Sequence, residues 1–268
     1  MKLPESLPDF HIVIPARYAS QRFPKKLLSI LVDKPVLQWV YELSLQAGAQ
    51  SVVIATDHES IFAAASEFGA NVIMTRDDHE NGTERLAEVA EKMGWFGDEI
   101  IVNVQGDEPL LPVDIIHQAV MTLANDTVAD MATVASPIRS EQDFFNPNVV
   151  KLVADANHRA LYFSRAPIPW DRDGFSRHQY QQQNQSQQEQ KLKEDMPAFR
   201  HIGLYVYRAR LLANYQKMPM SPLERWEKLE QLRLLHQGVA IGVAYVDSMP
   251  PHGVDTPEDL EKLHTLLT

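Results

Sequence analysis

The chain has 268 residues, no cysteine, 44% hydrophobic residues and a formal net charge of −11. That length allows one large domain, or a main domain carrying a smaller one, with ample apolar content for a core. The absence of cysteine excludes disulfides, thiolate zinc sites and a cysteine nucleophile, and the acidic balance argues against a general nucleic-acid binder, which needs a basic surface.

Met1 to Phe10 carries Pro4, Glu5, Pro8 and Asp9 rather than a basic region followed by an apolar stretch. No signal peptide is expected from it, and no apolar run reaches bilayer-spanning length, so the expected setting is cytoplasmic, without membrane insertion. The first predicted strand is His11 to Ile14, followed by a polar, basic loop from Ala16 to Lys26. Val36, Leu37, Val40, Leu43 and Leu45 have helical spacing and predict a helix to Ala47, stopped by Gly48. Ser51 to Ala55 reads as a strand with Thr56-Asp57 as its exit turn, Ser60 to Phe68 as a helix closed by Gly69, and Asn71 to Met74 as a strand. Thr83 to Met93 reads as a helix with Thr83 as its N-cap, followed by the strand Ile100 to Val104. This alternation implies a largely parallel sheet covered by helices on both faces.

Beyond residue 130 the order changes. Met131 to Pro137, Val149 to Ala154, Ala160 to Ser164 and Ile202 to Tyr207 are strand candidates with little helix between them, an antiparallel excursion. Asp173 to Pro197 collapses to Gln, Asn, Ser and charge and reads as a surface loop. Leu223 to Leu235 is a helical pattern, Ala240 to Val246 a last strand and Pro257 to Leu267 a closing helix. The chain has no internal repeats. The expected division is an α/β core from 1–130 and 238–268, and a smaller lobe from 131–237 holding the Gln-rich loop at 173–197.

Chemistry is concentrated in two acidic turns and one basic loop. Gln105-Gly106-Asp107-Glu108-Pro109 follows a strongly apolar strand, and Val254-Asp255-Thr256-Pro257-Glu258-Asp259 lies far along the chain. A carboxylate just past such a strand sits where α/β sheets bind ligands, and two of them brought together can hold a hard cation against phosphates. Arg17, Arg22, Lys25 and Lys26 lie within ten residues of one another after the first strand, where doubly wound folds hold phosphate. Taken singly, Asp107 also suits a turn and Asp255 a helix cap. No Gly-x-Gly-x-x-Gly follows the first strand, which disfavours a dehydrogenase.

Seven stretches stand in order: PARYAS at 15–20, NGTER at 81–85, NVQGDEP at 103–109, YFSRAPIPW at 162–170, RHIG at 200–203, LEQLR at 229–233 and VDTPEDL at 254–260. With these the chain closely resembles the 3-deoxy-manno-octulosonate (Kdo) cytidylyltransferases, also called CMP-Kdo synthetases, from about His11 to Leu263 apart from the Gln-rich insertion. The resemblance implies a Rossmann-like nucleotide-diphospho-sugar transferase fold: a mostly parallel central sheet, helices on both faces and a smaller antiparallel lobe. It implies CTP and Kdo as substrates, CMP-Kdo and pyrophosphate as products for lipopolysaccharide synthesis, Mg²⁺ as the cofactor, and a homodimer paired through the smaller lobe.

The same resemblance implies the site. Arg17, Arg22 and Lys26 bind the CTP phosphates, and Asp107 and Asp255 hold Mg²⁺, with Asp107, Asp255, Lys26 and Arg17 forming the catalytic set. Thr56, Asp57, Gly82 and Thr83 border the cytidine. Arg85 and His201 meet the sugar acid, where Gln105, Tyr205, Glu230 and Gln231 offer hydrogen bonds. Ser164 and Arg165 either line the same cleft or shape the bend before Pro167. The basic loop departs from the family's usual Arg-x-Pro-Gly-Lys-Pro, reading Arg22-Phe23-Pro24-Lys25-Lys26-Leu27, so the choice between Lys25 and Lys26 stays open, as does an 8-amino sugar. A cytidylyltransferase for a sialic acid, or a non-catalytic nucleotide-sugar-binding protein, are the competing readings.

Overall fold

The computed structural model describes residues 7–18, 23–175, 191–247, 249 and 252–268. Strand β1 (Phe10–Ala16) lies at the centre of a nine-stranded sheet. It pairs in parallel with β4 (Ser51–Thr56) on one side and β6 (Ile100–Asn103) on the other, and β5 (Val72–Met74) extends the β4 edge. The loop after β1 leads through a short 3-10 turn, Lys26–Leu28, into a small hairpin of β2 (Ile30–Leu31) and β3 (Lys34–Pro35). β10 (Phe199–Arg208) inserts antiparallel between β6 and β7 (Met131–Pro137), and β11 (Ile241–Tyr245) joins β7 in parallel as the far edge. The hairpin of β8 (Lys151–Ala154) and β9 (Ala160–Ser164) hangs from the start of β10.

Alternation along the strands sends apolar side chains to both faces, as a sheet buried on both sides requires. Ile12, Ile14 and Val102 pack with α1 (Val36–Gln46), α2 (Glu59–Glu67) and α4 (Val113–Asn125). Val13, Val53, Ile101 and Met131 pack on the other face with α3 (Gly82–Met93), α6 (Ala209–Tyr215) and α8 (Gln231–His236). The short helices α5 (Glu141–Phe145) and α7 (Pro222–Glu227) and the terminal α9 (Pro257–Leu267) complete the set. None of the described helices is long and apolar enough to cross a membrane.

Several expectations shift. β7 and β10 fall in the stretch expected to form a smaller lobe, yet both lie within the main sheet, because their Ile, Val and Tyr side chains join the two central cores. What stands off is the β8–β9 hairpin and a satellite core of Ile138, Phe144, Val149, Leu192 and Ala198. The single helix expected over 223–235 is two, broken at Lys228, which adopts a left-handed φ of 54°. Asn81, not Thr83, caps α3, its side chain accepting from the Glu84 amide. Helices α4 and α6 had no counterpart in the sequence reading. The Gln-rich stretch 176–190 lies outside the described residues.

Candidate active site

The two acidic turns meet. Gly106 lets the turn after β6 pass under β1: a Cβ there would stand 3.0 Å from the Pro15 carbonyl and against Leu27. The second turn arrives on a backbone bond, in which the amide of Val254 donates to the carbonyl of Asp107 at 2.8 Å. Gly253 makes that approach possible, since a Cβ there would come within 2.7 Å of the same carbonyl. Val254 is anchored in a small core with Leu31, Val36 and Leu263, so the β2–β3 hairpin and α9 clamp the turn in place. The side chain of Thr256 and that of Asp259 form a reciprocal capping box at the start of α9, which leaves the Asp255 carboxylate for the cleft.

Lys26 joins both carboxylates. Its ammonium donates to Asp107 Oδ2 at 2.5 Å and to Asp255 Oδ1 at 3.0 Å. Burial alone would lower the Lys26 pKa, but the two aspartates outweigh it and raise it. Lys25 instead points its ammonium over the Tyr18 ring, 5.8 Å from the centroid. Lys25 also sits at φ 60°, the left-handed conformation that suits glycine, at the position where the family's usual motif has one. Next door, burial pushes the Glu108 carboxyl up to about 7, and the charges of Asp107 and Asp255 add to the effect.

Arg17, Lys26, Gly82, Gln105 and Asp107 line one cavity of about 230 Å³, with Pro15, Leu27 and Gly106 as its apolar walls. Arg17 is braced by the carbonyls of His79 at 2.7 Å and Glu80 at 3.2 Å. Burial lowers its pKa first, then the Arg85 charge, against Asp57, Glu230 and Glu84. The N-terminal end of α3, at Gly82, opens onto this cavity, an arrangement that favours anions. Arg22 lies outside the described residues.

On the face that carries α3 and α8, apolar strand residues give way to polar ones toward the carboxyl ends of β1, β4 and β6. Asn103 follows Ile101, and Asp57 follows Ala55. Tyr205 hydroxyl donates to Gln231 Oε1 at 3.2 Å, and Thr83 Oγ1 bridges Tyr207 at 2.9 Å and Glu230 at 3.3 Å. Burial pushes the Glu230 carboxyl up to about 7, with Glu224 adding to it and the Thr83 hydroxyl, Arg17 and Arg233 opposing. His201 Nε2 meets Thr133 Oγ1 at 2.9 Å, and burial pushes this imidazole down to about 3. The Thr133 hydroxyl also reaches the carbonyl oxygens of Leu204 at 2.8 Å and Ile202 at 3.3 Å.

The structure sets several expected residues in surroundings the sequence did not show. Arg85, expected to meet the sugar carboxylate, is fully buried, held at 2.5 Å by both Asp57 Oδ2 and Thr75 Oγ1. Two of its guanidinium nitrogens are engaged inside the fold, by Thr75 and by Asp57 at the end of β4, while Nε is buried without a hydrogen-bond partner. Asp57 is therefore an ion-pair partner, and Thr56 is buried, its hydroxyl accepting from the His58 amide at 3.3 Å. Ser164 and Arg165 bind Glu227 rather than the cleft: Ser164 Oγ donates to Oε1 at 2.6 Å and the Arg165 amide donates to Oε2 at 2.9 Å. Sequence reasoning also missed Asn103, Thr133 and Tyr207. Asn103 is fully buried with neither side-chain polar atom hydrogen-bonded. A polar residue at an inward position of an otherwise apolar strand was the available signal.

A family model described as cytidylyltransferase matches residues 11–241. A 3-deoxy-manno-octulosonate cytidylyltransferase of Marinomonas sp. (strain MWYL1) is 67% identical over 264 residues, covering 98% of this chain and 97% of its own. The protein of the same name from Aliivibrio fischeri (strain MJ11) is 51% identical, over 97% of this chain and 99% of its own. A solved CMP:2-keto-3-deoxy-manno-octonic acid synthetase complexed with CTP superposes with a TM-score of 0.84 at 39% identity, over 97% of this chain and 98% of that one. The chain in which two distant aspartates meet at one lysine, beside an arginine-lined cavity, belongs to the 3-deoxy-manno-octulosonate cytidylyltransferase family.

Proposed function

We propose a residue-level account of the reaction. The chain is a Kdo cytidylyltransferase: it transfers CMP from CTP to 3-deoxy-D-manno-octulosonate, giving CMP-Kdo and pyrophosphate for lipopolysaccharide biosynthesis. The anomeric hydroxyl oxygen of the sugar attacks the α-phosphorus in line, the bond to the β-phosphate bridging oxygen breaks, and pyrophosphate leaves. Positioning and charge neutralisation carry such a transfer.

Arg17 and Lys26 take the CTP phosphates, assisted by the N-terminal end of α3 at Gly82. Arg22 joins them by resemblance. Thr83 borders the nucleotide, with Asp57 and Thr56 acting behind it through Arg85. The observation that carries this reading is that Asp107 and Asp255 both lie within 3.0 Å of one ammonium nitrogen. Two carboxylates around a site of single-cation size match Mg²⁺, which takes one or two carboxylates and fills the remainder with phosphate and water. When bound there, Mg²⁺ supplies positive charge to the developing phosphate oxygens.

Gln105, Tyr205, Glu230, Gln231 and His201 hold the sugar acid. Neutral His201 offers a ring nitrogen to a sugar hydroxyl, and Gln231 Nε2, buried and without a hydrogen-bond partner in the structure, offers a donor. Arg17 is the guanidinium on the cavity wall and serves the CTP phosphates, and Arg85, which the resemblance sets at the sugar acid, lies buried with its Nε unpartnered. The working unit is a cytoplasmic homodimer. β9 pairs only with β8 among the described strands, and Leu161 on it and Trp226 on α7 are 62% and 87% exposed, apolar area of the kind partners cover.

The test is pyrophosphate release from CTP with Mg²⁺ and Kdo, 8-amino-Kdo or a sialic acid, with light scattering for mass. Kdo is expected as the preferred acceptor. A faster rate with either other sugar overturns the substrate assignment, and tight CTP binding without turnover overturns catalysis.

A further inference from the structure

Arg233 has no place in the account above, yet it is the most heavily engaged side chain of α8. It is 4% exposed. Its Nε and Nη2 donate to Glu224 Oε2 and Oε1, both at 2.9 Å, a bidentate fork of the strongest protein ion-pair type. Nη1 donates to Glu84 Oε1 at 3.4 Å, and the guanidinium lies 4.8 Å from the Tyr215 ring centroid.

These partners come from three separate elements. Glu224 belongs to α7, where it also closes a capping box with Ser221. Glu84 belongs to the first turn of α3, whose Gly82 lines the cavity, and its other oxygen accepts from the Glu80 amide at 2.8 Å. Tyr215 ends α6. Arg233 therefore ties α8 both to the neighbouring α7, folded back across the left-handed Lys228, and to the cavity end of α3.

The residue one helical turn before Arg233 is Glu230, the N-cap position of α8, and Gln231 follows it. Glu230 reaches Thr83 at 3.3 Å and Gln231 reaches Tyr205 at 3.2 Å. Arg233–Glu84 and Glu230–Thr83 thus join the same two helix ends in parallel. One joins two charged side chains, and the other joins a carboxyl to the Thr83 hydroxyl, next to the cavity-lining Gly82.

We propose that Arg233 is a positioning residue for sugar-acid recognition: its bridge from Glu224 to Glu84 sets where Glu230 and Gln231 stand against the Thr83 end of α3. Removing the fork leaves α8 held at its N-terminal end by two neutral-partner hydrogen bonds, free to pivot about Lys228. The nucleotide cavity is walled by β1, the Lys26–Leu27 turn, the Gly106 turn and the α3 end, and without Arg233 the α3 end keeps its Asn81 cap and the Glu80 amide on Glu84, so the grip on CTP changes far less than that on the sugar acid. This inference rests on the reading that Glu230 and Gln231 meet the sugar acid.

Steady-state kinetics with CTP and Kdo varied separately test it, on Arg233→Met, Arg233→Lys and Glu224→Gln, alongside Glu230→Gln and Gln231→Leu. Arg233→Met is expected to raise the Kdo KM about 10-fold, the effect of one mispositioned contact, while the CTP KM stays within about 2-fold. Arg233→Lys restores part of the loss, because a lysine keeps the charge but not the fork. If Arg233→Met does not fold, Arg233→Lys and Glu224→Gln carry the same split at smaller amplitude. Equal rises in both KM values, or unchanged Kdo KM in all three variants, overturn the proposal. Unchanged Kdo KM in Glu230→Gln and Gln231→Leu instead overturns the reading beneath it, whatever the Arg233 variants do.

Discussion

The backbone amide of Val254 bonds to the carbonyl of Asp107, and this one contact between remote segments places Asp255 beside its partner carboxylate. The side chains of both aspartates then converge on Lys26. The site is assembled by main-chain docking, with the carboxylates carried along.

Asp107→Asn and Asp255→Asn are each expected to lower turnover at least about 100-fold, the scale of losing a transition-state charge contact. Pyrophosphate release at saturating CTP and Kdo measures this. Near-normal rates in both variants remove the metal assignment.

Gly253→Ala tests the docking contact without touching a functional side chain. Its Cβ would press to 2.7 Å of the Asp107 carbonyl and 3.1 Å of Glu108 Cγ, so the Val254 bond must lengthen and Asp255 must withdraw. Turnover is expected to fall about 10-fold or more, as small misplacements at reacting centres do. Thermal unfolding should change far less than activity.

Lys25 and Lys26 are separable. Lys26→Ala removes the ammonium between the aspartates and is expected to cost about 100-fold in turnover. Lys25→Ala, which loses only a cation over Tyr18, is expected to stay within about threefold, since exposed cation–π contacts contribute about 0.5–1 kcal/mol. Reversal of that order would reassign the phosphate lysine.

Glu230 gives a pH signature. Its folded pKa, about 7, stands above the ordinary value of 4.5, so the folded chain holds this proton more tightly than the unfolded one. That contribution is full below about pH 4.5 and fades as pH rises through about 7. Glu230→Gln should therefore unfold at a higher temperature than the wild type at pH 8, by an amount worth about 1–2 kcal/mol. The gap should close toward pH 5. An unchanged gap across that range would show that the carboxyl is ordinarily solvated.

Arg85 and Asp57 form a buried pair whose worth is structural. Arg85→Met strands the Asp57 carboxylate and is expected to cost about 3 kcal/mol in urea unfolding. Pairing it with Asp57→Leu should recover much of that loss, because replacing both members of a buried pair by apolar residues is often neutral.

The amino-acid order alone carried a good deal. Apolar alternation and helical spacing marked β1, α1, β4, α2, β6 and α9 within a residue or two, because each has one strong period and a clear stop. The acidic turns and the basic loop stood out by position after apolar strands, although Asp107 taken singly also suits a turn and Asp255 a helix cap. Two things were decided only by the tertiary structure. β7 and β10 read as a separate lobe because local pattern does not say which sheet a strand enters; their side chains complete cores supplied by residues far along the chain. The burial of Arg85 against Asp57 was likewise not legible, because charge on a helix face looks the same whether it meets water, substrate or an inward-turned Asp57. Periodicity is a property of neighbours in sequence, so it determined the elements. Burial and pairing are properties of neighbours in space, so the fold alone chose which charges line the cleft and which are consumed inside it.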